Sequence, residues 1–189
     1  NFSDIMKTRM ASQQLPDVWT THGWAVARYA EYLAPLNEFE FANHISPSIA
    51  EQITDAEGNL FTLPIDMDLT GVVYNVNVLN EAGVDVDDLK TWDDFDAACE
   101  KVKAIGKTPI QIGGKDSYTF GNLLDFIAPT FISNEDEANQ QALLDGSFDW
   151  SKWNVVVDKV AGWNESGFFN KDAVTADFMT GVKAMAAEK

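Results

Sequence analysis

The chain has 189 residues, 46% of them apolar and 12% aromatic, enough to bury a sizeable core in one large domain or two small ones. Thirteen basic against thirty acidic residues give a net charge of -17. That charge repels nucleic-acid phosphates and anionic lipid, excludes both as natural partners, and is most simply the solubility of an exposed surface. The single cysteine, Cys99, excludes an intramolecular disulfide and leaves the redox compartment open. No apolar run approaches the ~20 residues of a membrane-spanning helix, and no signal peptide is visible.

The first predicted element is a helix over residues 1–14, where Phe2, Ile5, Met6 and Met10 recur at helical spacing. Because the chain opens inside this helix, it reads as an internal fragment whose export signal would lie upstream. Residues 16–19 (PDVW) predict a buried strand leading into the loop TTHGW, and 25–33 predict a helix. In 54–62 (TDAEGNLFT), Glu57-Gly58-Asn59 between strand-like flanks predicts a hairpin, with glycine supplying the positive φ. Residues 72–74 predict the next strand.

Thr91 followed three residues later by Asp94 predicts a capped helix start, and Gly106 the end of that helix. On it Phe95, Ala98, Cys99, Val102 and Ile105 share a face, which makes Cys99 a packing residue. Residues 109–112 predict a strand running into Gly113-Gly114, 122–131 an apolar helix interrupted near Pro129, and 153–163 an amphipathic helix closed by Gly167. The run NEDEANQQ at 134–141 reads as a solvated loop and helix start, without the glycine-centred spacing of a calcium loop. A last helical region begins within 172–179. Helices alternating with short β-branched strands predict an α/β sheet.

Open α/β sheets bind ligands at loops outside the carboxyl ends of their strands, and three loops are candidates. In the first, His22 offers a hydrogen-bonding ring and Trp24 a flat apolar face with a donor at its edge. In the second, Asp66 and Asp68 lie two apart on an extended segment after Pro64, so they point to one face and repel unless solvated or bridged. Sugar hydroxyls, as donors to ionised carboxylates, suit them. The third, Gly113-Gly114-Lys115-Asp116-Ser117-Tyr118, allows close backbone approach, while the spacing of a phosphate loop is absent. Competing readings are a core or hydrophobic-surface Trp24, an exposed acidic hinge without ligand contact at Asp66 and Asp68, and helix capping by Asp116 with packing by Tyr118. Trp92, Trp153 and Trp163 read as core, His44 as a surface histidine, and Met179 and Met185 as packing.

The order of parts in residues 60–95 is specific: a hairpin arm, L-P-x-D-x-D, an apolar strand ending Y-N, a short helix ending A-G-V, and the capped T-W-D-D-F helix. Together with PDVW at 16–19, TPIQIGGKD at 108–116 and DFMTGVKAM at 177–185, it resembles the extracellular solute-binding proteins of ABC importers, in the sugar-binding group that includes maltose-binding protein. The resemblance implies an α/β fold of the type II periplasmic-binding-protein kind, two lobes joined by hinge strands, incomplete here at both ends. It divides the chain into part of lobe 1 at 1–66, a hinge crossing at 67–71 and part of lobe 2 at 72–189.

By the same resemblance, the TTHGW loop belongs to the cleft of the first lobe, Asp68 falls where relatives place an acidic sugar ligand, and Asp116 and Tyr118 match an acidic residue and a tyrosine that contact sugar. Phe120 is their neighbour in the same turn. The expected function is capture of a sugar or oligosaccharide and its delivery to the permease subunits of an ABC transporter by a monomeric protein. That protein would lie outside the cytoplasm, touching the membrane only through an upstream lipid anchor, with no metal, organic cofactor or catalytic residue. Two alternatives remain open at this level. One is a carbohydrate-active enzyme using Asp66, Asp68 or Asp116, since strand positions two apart lie ~7 Å from each other and glycosidase carboxylates ~5–10 Å. The other is a sugar-sensing receptor module without a transporter.

Overall fold

In the computed structural model, which describes residues 2–68, 71–133 and 137–189, the chain divides into two units, Asn1–Asp68 and Leu69–Lys189. The expected crossing at 67–71 includes residues 69 and 70, which lie outside the described residues.

The first unit starts with α1 (Phe2–Ala11), which buries Met6 and leaves Phe2 and Ile5 exposed. Gly23–Ala25, α2 (Val26–Tyr29) and Ala30–Tyr32 follow as consecutive helical turns that alternate between 3-10 and α geometry, where the sequence predicts one helix. After α3 (Pro47–Ile53), a hairpin forms on an antiparallel bridge between Thr54 and Leu60. Its tip is organised by Asp55, whose carboxylate accepts the backbone N–H groups of Glu57 at 3.0 Å and Asn59 at 2.7 Å, while Gly58 adopts φ 81°. Asn37 ties the hairpin down by donating to the Gly58 carbonyl and accepting the Leu60 N–H, both at 2.9 Å. Val26, Ile53 and Leu60 make the small core, with Leu36, Phe41, Ala42, Ile45 and Phe61 around it.

The second unit is built on α4 (Val76–Glu81), α5 (Trp92–Ala104), α6 (Tyr118–Ile132), α7 (Glu137–Asp145), α8 (Asn154–Glu165) and α9 (Phe178–Ala186). The capping box predicted at Thr91 and Asp94 is formed in both directions, and Gly106 follows α5 with φ 80°. Cys99 of α5, Ile127, Ala128 and Ile132 of α6, and Val156 and Trp163 of α8 share one core with Phe148 and Phe168. Trp92 packs against that core and donates its indole N–H to the Thr130 hydroxyl at 2.9 Å. Between these helices residue 110 pairs in parallel with residue 169, and the buried Asn170 extends the pairing by donating to the Ile112 carbonyl and accepting the Ile112 N–H. An amide side chain here does the work of one more rung of backbone ladder.

Several expectations need correction. The strands predicted at 16–19 and 72–74 form no β-pairing among the described residues; residues 17 and 18 make a bend, Val18 is 87% exposed where a buried strand was expected, and Val73 is 80% exposed. A strand exists only where a neighbour takes its backbone N–H and C=O groups, so β-branched composition alone did not suffice. Among the described residues the predicted sheet therefore reduces to isolated bridges. Pro129 does not interrupt α6, which runs on to Ile132. A proline one turn from a helix end removes a single hydrogen bond, and the burial of Ile127, Ala128 and Ile132 holds the last turn in place. Met179, expected to pack, is exposed at the start of α9. Residues 134–136 of the acidic run lie outside the described residues, and the remainder of that run enters α7.

Candidate functional site

Each unit carries its own group of candidate side chains. In the first, the loop 20–22 enters the Gly23–Ala25 turn with His22 in extended conformation, which leaves both His22 and Trp24 at the surface. Their rings stack at 5.1 Å between centroids and 9° between planes, and the Arg28 guanidinium sits 5.8 Å from the Trp24 ring centre, one helical turn further on. Trp24 is 73% exposed, although Ala25 and Val26 directly after it are buried. A pocket of 360 Å³ opens beside it, lined by Trp24, Ala27, Glu51, Gln52, Asp55 and Phe61 among others. An aromatic wall with carboxylate and amide groups is the chemistry that holds a polyhydroxylated ring. Asp55 is the exception in that lining, since its oxygens are already engaged by the hairpin and its carboxyl is held below the usual aspartate value mainly by the Asn59 side chain.

Asp66 and Asp68 lie exposed on a stretch without regular secondary structure, and the pocket beside Trp24 reaches Phe61 but neither of these aspartates. The structure thus brings His22 and Trp24 together and leaves the two aspartates on a separate segment.

In the second unit, Gly113-Gly114 runs against the backbone that leads into α9. A Cβ on Gly113 would stand 2.6 Å from the Asp177 carbonyl and the Phe178 nitrogen, and one on Gly114 would collide with the Phe120 ring and the Ala173 carbonyl. Here only glycine fits. The Gly114 and Lys115 N–H groups donate to the carbonyls of Ala173 at 2.6 Å and Ala176 at 3.0 Å, which fixes the turn. Asp116 does not cap its own helix: its Oδ2 accepts the Phe178 N–H at 2.9 Å, at the start of α9. Asp177 caps the same helix by accepting the Thr180 N–H at 2.8 Å and hydroxyl at 2.7 Å, contacts that hold its carboxyl below the usual aspartate range. Tyr118, 55% exposed, leans towards Phe178, with ring centroids 6.4 Å apart and planes tilted by 48°. Sequence reasoning placed Asp116 and Tyr118 in one loop but missed Phe178, and likewise missed Arg28 and Gln52. The only local signal for Phe178 is its place after Asp177, where D-x-x-T marks a helix start.

Among the described residues no cluster of histidine, cysteine, aspartate and glutamate suited to a metal ion is present, and no helix is long and apolar enough to cross a membrane.

The family profile described as bacterial extracellular solute-binding protein matches residues 1–187. The melibiose/raffinose/stachyose-binding protein MelE of Bacillus subtilis is 30% identical over 193 residues, covering 100% of this chain and 45% of MelE. An arabinooligosaccharide-binding protein of Bacillus subtilis is 38% identical over 68 residues, 35% of this chain and 16% of that protein. Among solved structures, a sugar transporter of Bacillus licheniformis in complex with stachyose superimposes with a TM-score of 0.82 at 29% identity, over 100% of this chain and 50% of that one. A binding protein of Bacillus subtilis in an open conformation gives 0.85 at 29% identity, over 100% and 48%. The chain thus spans about half the length of the relatives that it matches throughout.

Proposed function

We propose, for a chain that belongs to the bacterial extracellular solute-binding protein family, that it is part of the substrate-binding component of an ABC importer, which captures an oligosaccharide outside the cytoplasm and hands it to the permease. The observation that carries this reading is the match of the whole chain to a melibiose/raffinose/stachyose-binding protein and to a stachyose-bound structure. The chemistry agrees with it. Trp24 and Tyr118 are exposed aromatic faces, each accompanied by carboxylate or amide groups, as sugar recognition requires.

In this reading the fold is of the type II α/β kind, with lobe 1 up to residue 66, a hinge crossing at 67–71 and lobe 2 from residue 72. His22, Trp24, Asp66 and Asp68 serve from the first unit, Asp116 and Tyr118 from the second. A ligand favours a closed form only by its differential contacts with that form. The protein works as a monomer without a cofactor, binds its ligand without chemical change, and reaches the membrane through a lipid anchor or stays free in the periplasm.

The test is calorimetric titration of the protein, as its gene encodes it, with melibiose, raffinose, stachyose, arabino-oligosaccharides and maltose. Saturable heat at one site supports the reading and names the sugar class. Heat that continues at saturation identifies an enzyme instead, and silence across the panel rejects sugar as the ligand.

A further inference from the structure

Phe178 is 48% exposed although it opens a helix whose position is closely fixed. Its N–H is held by the Asp116 carboxylate at 2.9 Å, the residue before it caps the helix, and the Gly113 backbone fills the space directly behind the 177–178 peptide. A half-exposed apolar ring anchored so closely through its own backbone is unlike a loose surface residue. Beside it stands a second exposed aromatic ring, Tyr118, at 6.4 Å. The anchoring carboxylate itself lies two residues before Tyr118.

We infer that Phe178 is a further sugar-contacting residue, forming with Tyr118 a two-ring aromatic surface, and that Asp116 acts as its positioning residue as well as an acceptor at its edge. The inference rests on the sugar-binding reading above. The apolar faces of a pyranose ring lie against aromatic rings, while its hydroxyls need acceptors nearby. A carboxylate offers about four acceptor positions, more than the single Phe178 amide uses. The assembly is also specific in kind: two aromatic surfaces side by side favour an extended oligosaccharide over a single small sugar, because apolar contact grows with the area covered.

The test titrates the protein, as its gene encodes it, with raffinose and stachyose, comparing wild type with Phe178→Ala, Phe178→Leu, Phe178→Tyr and Tyr118→Ala, each also followed by thermal unfolding. The expected result is an affinity loss of at least about tenfold for Phe178→Ala and for Tyr118→Ala at an unchanged melting temperature, near-wild-type binding for Phe178→Tyr, and no rescue by Phe178→Leu, which keeps apolar bulk without an aromatic face. Wild-type binding that is unaltered in Phe178→Ala, or fully restored by leucine, overturns the inference and leaves the sugar-binding reading intact. Loss of affinity that tracks loss of melting temperature in all three Phe178 variants assigns the residue to packing and overturns it too. A wild type that binds no sugar rejects the underlying reading and the inference with it.

Discussion

The Asp96 carboxylate joins α5 to α8 through both of its oxygens, accepting the Trp163 indole N–H at 2.6 Å on Oδ1 and the Lys159 ammonium at 2.7 Å on Oδ2. Trp163 is 2% exposed, so its N–H has no water to turn to if the acceptor is removed. Asp96→Ala is expected to destabilise the second unit by about 1–3 kcal/mol, the usual cost of an orphaned buried donor. Asp96→Asn, which keeps an acceptor for the indole, should lose less. Urea unfolding of the three proteins checks both the magnitude and the order.

Cap carboxylates make stability depend on pH on the acid side. The Thr91 hydroxyl, followed by the Lys90 and Thr91 N–H groups, holds the Asp94 carboxyl below the usual aspartate value, and Thr180 does the same for Asp177. A folded-state value lowered in this way contributes stability that is complete above the unfolded aspartate value and disappears as pH falls through the lowered one. Stability should therefore be level near neutrality and decline below about pH 5. Thr91→Ala is expected to lower it by about 1 kcal/mol at neutral pH and to make the acid decline shallower, readable as unfolding free energy against pH.

Burial pushes the Cys99 thiol up to about 12, with Asp96 and Glu100 adding to the shift. The folded protein should leave a thiol reagent unreacted at neutral to mildly alkaline pH and consume one equivalent only on denaturation. Cys99→Ser, which places a hydroxyl in the core of the second unit, is expected to cost about 1–3 kcal/mol and leave sugar affinity unchanged. Rapid labelling of the native thiol, or an affinity loss at constant stability, is the contrary result.

Gly113 faces backbone, which cannot swing aside. In Gly113→Ala the new methyl would press on the Asp177–Phe178 peptide at 2.6 Å, with an expected cost of about 1–3 kcal/mol. The strain falls on the link that positions Phe178, so sugar affinity should drop beyond what the stability loss explains. Gly121→Ala, whose Cβ meets open space within α6, is the control: it should leave sugar affinity unchanged and, as a glycine-to-alanine change in a helix, raise stability by about 0.5–1 kcal/mol. Thermal melts and titrations of the two variants decide it.

Sequence alone determined the features that depend on neighbouring residues. The Thr91–Asp94 capping box, the glycine terminators at 106 and 167, and the hairpin around Gly58 all formed as read, because caps and turns are closed by groups only a few positions apart. Burial of Cys99 and Trp163 was equally legible, since helical periodicity carries the facing side of a long helix. Only the tertiary structure decided the rest. Residues 16–19 and 72–74 have the composition of strands, but whether they become strands depends on a partner distant in the chain. For Asp116, read as a ligand contact with capping of its own helix as the competing reading, the helix it secures begins instead at Phe178, and nothing within a few residues of either could have announced that bond. The candidate site divides in the same way: its residue types could be read from the sequence, whereas the ring beside Tyr118 and the pocket beside Trp24 came from packing between segments far apart in the chain.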